Sequence, residues 1–300
     1  MSTLVEKQQE LINKAMFGEC GSNGVYARTE LFEQVINGLS RVITRHREPN
    51  TEVLRFPPVM SRSQLERSGY LQSFPHLLGA VSCLAGDEAQ VRATVERPDW
   101  PTQLSPTELV LSPAACYPVY PLAAGRGPVP ARGLLFDVAS YCFRHEATHE
   151  LGRFQSFQMR EYVCIGAPAM VLDFRKRWIT RGGDLAKQLG LDFTIANASD
   201  PFFGRAGRLA AMSQLEQALK FELLVPVRSA EEPTACMSFN YHLDHFTGAW
   251  QLSSENGTTV HTGCVAFGLD RLALALFAKH GVDPREWPTE VRRNFPFDEI

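Results

Sequence analysis

Phe143-Arg144-His145-Glu146, a polar loop, then Gly152-Arg153-Phe154-Gln155-Ser156-Phe157-Gln158-Met159-Arg160-Glu161: this stretch decides the fold. It reads as two strands joined by a loop. On paired strands alternate side chains share a face. Arg144 and Glu146 then point one way, and Phe157, Met159 and Glu161 share a side. Such a surface offers a cation to a phosphate, a carboxylate to an amine and an aromatic face to a base. Taken alone, the same residues also fit an ordinary hairpin closed by a salt bridge.

The second informative stretch is His261-Thr262-Gly263-Cys264-Val265-Ala266-Phe267-Gly268-Leu269-Asp270-Arg271, followed by an apolar run. Gly268, with Arg271 three positions on, sets one arginine at the start of an apolar helix near 268–280. A helix N-terminus with an arginine beside it suits a phosphate tail. A lone Gly-x-x-Arg says little, but following the hairpin in this order the two stretches support each other.

Further out, Leu31, Phe32, Val35, Ile36, Leu39, Val42 and Ile43 form one stripe of a helix over 30–46, and a weaker helical pattern covers 4–17. Strand character recurs at 52–56, 108–111, 136–146, 154–165, 193–196, 221–227 and 234–241, with helices near 167–189 and 206–219 between. Ser61 and Gln64 have the spacing of a capping box. The stretch 97–106 reads as loop, and 125–133, rich in Gly, Pro and Arg, as the most mobile segment. Long connections between β-rich segments predict an α+β fold, an antiparallel sheet flanked by helices. Residues 1–50 are expected to form an N-terminal helical segment and 51–300 the catalytic domain.

The 300 residues carry 30 basic against 33 acidic side chains. A protein gripping a long nucleic acid usually shows a basic excess, so this balance speaks against one. The basic clusters at 41–47 and 175–177 read as solvated helix faces. There is no apolar leader and no run of about 18 apolar residues, which predicts a cytoplasmic protein with no membrane contact. Seven cysteines without paired spacing make a poor disulfide framework.

These motifs resemble those of class II aminoacyl-tRNA synthetases. Phe143-Arg144-x-Glu146 with its loop and strand is similar to motif 2, and Gly268-Leu269-Asp270-Arg271 to motif 3. The segment from Arg55-Phe56-Pro57-Pro58 through Gly69-Tyr70 resembles motif 1, which in that family builds a dimer interface. The catalytic core is most similar to that of seryl-tRNA synthetases, over about residues 50–285. Cys116 stands where those enzymes carry a substrate glutamate. In their zinc-dependent, atypical branch two cysteines and a glutamate hold the metal, and Cys116, Glu161 and Cys264 match those positions. With about 50 residues ahead of motif 1 and no coiled-coil arm, the chain resembles the amino acid:carrier protein ligases, which share this core. The stretch Arg144-His145-Glu146-Ala147-Thr148-His149-Glu150 through Ala167-Pro168 strengthens that likeness.

The resemblance implies roles. Arg144 holds the ATP α-phosphate and Arg271 the γ-phosphate, the two catalytic assignments. Phe157 stacks on adenine, Glu146 accepts from its amine, and Arg153 and Phe154 lie close by. Glu222 binds Mg²⁺ and Lys220 a phosphate or ribose edge. Ala235, Cys236, Met237 and Ser238 run beside the nucleotide, Ser238 as a second Mg²⁺ or phosphate contact, and Asn240 touches the amino acid. Zn²⁺ sits on Cys116, Glu161 and Cys264. The implied substrates are ATP, a small amino acid (glycine or alanine) and a holo-carrier protein bearing phosphopantetheine; the implied assembly is a homodimer. Arg205 and Arg208 are candidates for meeting the carrier's acidic helix. A tRNA-charging enzyme and a non-catalytic amino-acid-binding paralogue are the competing readings.

Overall fold

The computed structural model describes residues 4–146 and 152–295. The resembling stretch at 147–150 lies outside them. Twelve strands occur among the described residues, in three groups. β1 (Phe17–Ser22) and β2 (Val25–Arg28) form an N-terminal hairpin. β4 (Val59–Ser61), β5 (Ala80–Cys83) and β6 (Ser105–Leu111) form a small sheet in the order β4-β6-β5. The main sheet uses β3 (Glu52–Arg55), β7 (Leu134–Phe143), β8 (Ser156–Gly166), β9 (Thr194–Asn197), β10 (Lys220–Val225), β11 (Thr234–Tyr241) and β12 (His261–Gly268). Its order is β3-β7-β8-β12-β11-β10-β9, antiparallel throughout except for the parallel edge pair β3–β7.

Alternation along the central strands divides the two faces. Tyr162, Cys164, Val265 and Phe267 turn toward the helices Glu30–Arg45, Pro168–Gln188 and Leu269–His280, forming the larger core. Val163, Ile165, Cys264 and Ala266 turn the other way, toward a second core with Tyr120 and Phe246. The Pro168–Gln188 helix lies close on the sheet: a Cβ at Gly182 would come within 2.6 Å of the Phe239 ring. The stripe from Phe32 to Ile43 belongs to this larger core, as do Ile12 and Met16.

Several local readings need correction. The capping box at Ser61 does not form; the Ser61 hydroxyl lies 2.9 Å from that of Ser63 instead. A complete capping box, Asp87 with Gln90, opens the unanticipated helix Glu88–Val95. Within 97–106 a 3-10 turn occupies Trp100–Gln103, and β6 has begun by Ser105. The 125–133 segment is tied down: Val129 N–H donates to Ser253 O at 2.8 Å, and Arg126 pairs with Glu52. The N-terminal 50 residues include the β1–β2 hairpin as well as helices. Among the described residues no helix is long and apolar enough to cross a membrane.

Candidate active site

The face of the main sheet away from the long helices carries a cavity of about 580 Å³. Strand register explains its lining. One row across the sheet runs Glu222, Ser238, Ala266, Glu161; the next runs Lys220, Asn240, Cys264, Val163. Residues directly opposed or diagonal on one face are neighbours. Four strands therefore bring nucleotide-type and metal-type side chains to one surface. The nucleotide and metal residues named from the sequence all line this cavity, with the exception of Arg153. Arg153 stands at the rim, its guanidinium 3.9 Å from the Glu146 carboxylate.

At one end lie Cys116, Glu161 and Cys264, with one donor atom from each within 4.8 Å of the others. They are 5%, 1% and 3% exposed, respectively. Cys116 reaches the group from the loop after β6, which is held to β7 by Phe143 N–H donating to Ser112 O at 2.8 Å. Its own amide donates to Glu161 Oε1 at 3.0 Å. Asn240 Nδ2 donates to Cys264 Sγ at 3.3 Å and to Ser238 Oγ at 3.1 Å, joining the two ends of the cavity.

Burial works against ionisation of all three groups. Burial pushes the Glu161 carboxyl up, against the hydrogen bonds from Cys264 and Cys116. The Cys264 thiol is driven well above its ordinary value, first by its hydrogen bond to Cys116 and then by burial and the Glu161 charge. At an effective dielectric of about 20, unit charges this close repel by at least about 3.5 kcal/mol per pair. A buried Cys₂Glu set is a poor structural cluster and a good one for a borderline-soft divalent cation, whose charge stabilises all three anions. The donor set thus fits zinc.

His242 completes this end and was not singled out from the sequence. Its Nε2 lies 3.7 Å from Cys264 Sγ and its Nδ1 3.0 Å from the Thr262 hydroxyl. Loss of solvent pulls the imidazole down to about 3, so the ring is neutral. The residue stands two positions after Asn240, but nothing local to it indicates a partner on the next strand.

The other end carries the cations Arg144, Arg271 and Lys220 among carboxylates. Arg144 leaves β7 with its amide bonded to Gln155 O at 2.9 Å; its Nε donates to Pro113 O at 3.1 Å, and its guanidinium lies 5.5 Å from the Phe157 ring centre. Arg271 donates to Gly152 O at 3.0 Å and Ala235 O at 3.1 Å. Phe154 packs against Phe17 and Tyr26 in a three-ring cluster. Met237 and Cys236 are buried in the larger core, so their backbone is what accompanies a ligand. The Lys220 ammonium lies 2.6 Å from Asp200 and 2.9 Å from Glu222. Burial alone would lower its pKa, but the two carboxylates outweigh that and raise it. Asp200 comes from the connection after β9, a long-range neighbour that no spacing in the sequence reveals.

This is the catalytic fold of class II aminoacyl-tRNA synthetases. The chain superposes with TM-score 0.81 on Methanopyrus kandleri SerRS in its complex with A. aeolicus tRNASec, at 22% identity, covering 98% of this chain and 60% of that one. A Giardia lamblia prolyl-tRNA synthetase in complex with prolyl-adenylate gives TM-score 0.70 at 12% identity, covering 92% and 53%. By sequence, amino acid–(acyl-carrier-protein) ligases 1 and 2 of Bradyrhizobium diazoefficiens are 60% and 59% identical, over 92% and 93% of this chain and 86% and 84% of theirs. The chain belongs to the family of amino acid–(acyl-carrier-protein) ligases. The type-2 serine–tRNA ligase of M. kandleri is a more distant relative, 32% identical over 61% of this chain and 37% of its own length. No family model matches the chain.

Proposed function

We propose that the chain uses ATP to convert a small amino acid, glycine or alanine, to its aminoacyl adenylate. It then passes the aminoacyl group to the phosphopantetheine thiol of a holo-carrier protein. Membership of the ligase family supports the overall reaction. The observation that carries the mechanism is the shared cavity face, with the Cys116–Glu161–Cys264 group at one end and Arg144 and Arg271 at the other.

When bound by Cys116, Glu161 and Cys264, zinc would supply a Lewis acid with an open position for a neutral amine. Glu222 and Ser238 are the residues that would hold Mg²⁺. Arg144 neutralises charge growing on the α-phosphoryl group as the amino-acid carboxylate attacks phosphorus. The bond from that phosphorus to the β-phosphate bridge breaks and pyrophosphate leaves, with Arg271 and Lys220 as its cationic contacts. The carrier thiolate then attacks the acyl carbon and AMP leaves. No side chain acts as a nucleophile; positioning and fixed charge supply the acceleration.

The same reading makes the protein a cytoplasmic homodimer joined through the motif-1-like segment from Arg55 to Tyr70. The carrier docks on the helix Gly204–Glu216, where Arg205 and Arg208 are exposed beside apolar Leu209 and Met212. An acidic carrier helix with an apolar stripe matches that surface.

The test is transfer of labelled glycine, alanine or serine in the presence of ATP and Mg²⁺, offering holo-carrier, apo-carrier and bulk tRNA separately. Label on the holo-carrier alone is expected. Label on tRNA, or none with any acceptor, overturns the reading.

A further inference from the structure

The N-terminal hairpin lies outside every motif named above, yet its contacts converge on the nucleotide end of the cavity. We infer that Arg28, on β2, is a positioning residue for ATP, acting through Asp270. This deepens the proposed function and rests on the nucleotide roles given there to Phe157 and Arg271.

Asp270 opens the Leu269–His280 helix one residue before Arg271 and is 2% exposed. Its carboxylate is divided between two partners. Oδ1 accepts from Arg28 Nε at 2.7 Å and lies 2.6 Å from Arg28 Nη2. Oδ2 accepts the backbone N–H of Gln158 at 2.6 Å. Gln158 follows Phe157 on β8. One carboxylate therefore ties the helix that presents Arg271 to the strand that presents Phe157. Burial pushes the Asp270 carboxyl up, and the Arg28 charge is the largest influence opposing it. Arg28 lies 3.8 Å from Glu33 as well, and 5.2 Å from the Tyr141 ring centre.

The rest of the hairpin acts on the same ground. Gly24 O accepts from Gln155 N–H at 2.8 Å, and Asn23 O from Gln155 Nε2 at 2.7 Å. Phe17 and Tyr26 pack against Phe154, at 5.3 and 5.7 Å between ring centres. Arg271 itself donates to Gly152 O, at the start of this stretch. The hairpin thus fixes the base-stacking strand and the phosphate-binding helix relative to each other, and among the described residues none of its hydrogen bonds or ion pairs reaches the Cys116–Glu161–Cys264 group. An effect on ATP without an effect on the amino acid follows from that one-sidedness.

The experiment is amino-acid-dependent ATP–pyrophosphate exchange with Arg28→Met and Arg28→Lys, measured below each variant's melting temperature, with calorimetric ATP binding alongside. Arg28→Met is expected to raise KM for ATP on the order of tenfold, equivalent to about 1.4 kcal/mol. KM for the amino acid and the metal content stay at wild-type values, and Arg28→Lys recovers most of the loss. Because Arg28 acts through Asp270, Arg28→Met adds nothing to the ATP defect of Asp270→Asn in the double variant. A folded Arg28→Met protein with unchanged KM for ATP, or with both KM values raised equally, overturns the inference. If Arg28→Met does not fold, Arg28→Gln, which also removes the charge, is judged by the same split between the two KM values. Wild-type protein that binds no ATP overturns the parent reading and this one with it.

Discussion

Glu161→Gln separates a metal centre from a buried polar cluster. The substitution keeps the side chain's shape at a site only 1% exposed and removes its charge. With all three groups ionised and their donor atoms within 4.8 Å, three pairwise repulsions total about 10 kcal/mol at an effective dielectric of about 20. Only a bound cation makes that state stable. Glutamine removes two of the three pairs, roughly 7 kcal/mol of repulsion, and with them most of the attraction for a divalent ion. A metal at a thousandfold excess over its Kd stabilises a protein by about 4.1 kcal/mol. For a chain of this size that is roughly 8 °C in melting temperature. The assay is calorimetric melting of protein stripped with a chelator and then reloaded with zinc, with metal content measured on the same samples. Wild-type protein is expected to hold one zinc and to gain roughly 8 °C on reloading; Glu161→Gln gains less than about 2 °C. The metal-free variant melts no lower than metal-free wild type. Equal zinc content and equal gains in the two proteins would refute the assignment.

Arg144→Lys keeps a charge but loses the planar fork and the contact with Phe157, and is expected to lower kcat for adenylate formation by about 10²–10³; a change below threefold in pyrophosphate exchange would remove Arg144 from the reaction. Reversing charge at Arg205 and Arg208 together should weaken transfer to carrier, more so at low salt, and leave pyrophosphate exchange intact; equal loss of both steps would exclude that docking face. Burial tends to raise the Asp200 carboxyl, but the Lys220 ammonium outweighs it and holds the group below the ordinary 3.8. A depressed carboxylate stabilises the fold above that value and loses its contribution as pH falls through the native pKa. The stability advantage of wild type over Asp200→Asn should therefore be full at about pH 5 and shrink below 3.8, as read from denaturant melts; a difference independent of pH would mean that the Lys220 pairing contributes nothing.

Much of the fold was legible because its periodicities are strong. The helix expected over 30–46 spans Glu30–Arg45, and the strand expected over 234–241 spans Thr234–Tyr241. The central strand β12 went unread because its His-Thr-Gly-Cys-Val-Ala-Phe-Gly run is covered on both faces and shows no alternation. The β1–β2 hairpin did leave a signal, Asn23-Gly24 between two short extended runs, which is the favoured two-residue turn. At the candidate site the motif residues were legible by type and order. His242, Asp200 and Arg28 were not, because each meets its partner through register or through the packing of distant segments, and neither is encoded in local spacing.

The three groups of the Cys116–Glu161–Cys264 cluster come from widely separated parts of the chain: a loop after the small sheet, the middle of β8 and the centre of β12. Zinc bound there as proposed would act as a reversible crosslink closing loops that take in the sheet's inner strands, and closure of long loops restricts the unfolded chain most. The ends meet only where β12 lies between β8 and β11, and β12 is the last strand of the main sheet in chain order. On the proposed zinc assignment, metal occupancy would report on the completeness of folding, and a chain with a misregistered central strand would be unable to retain the ion.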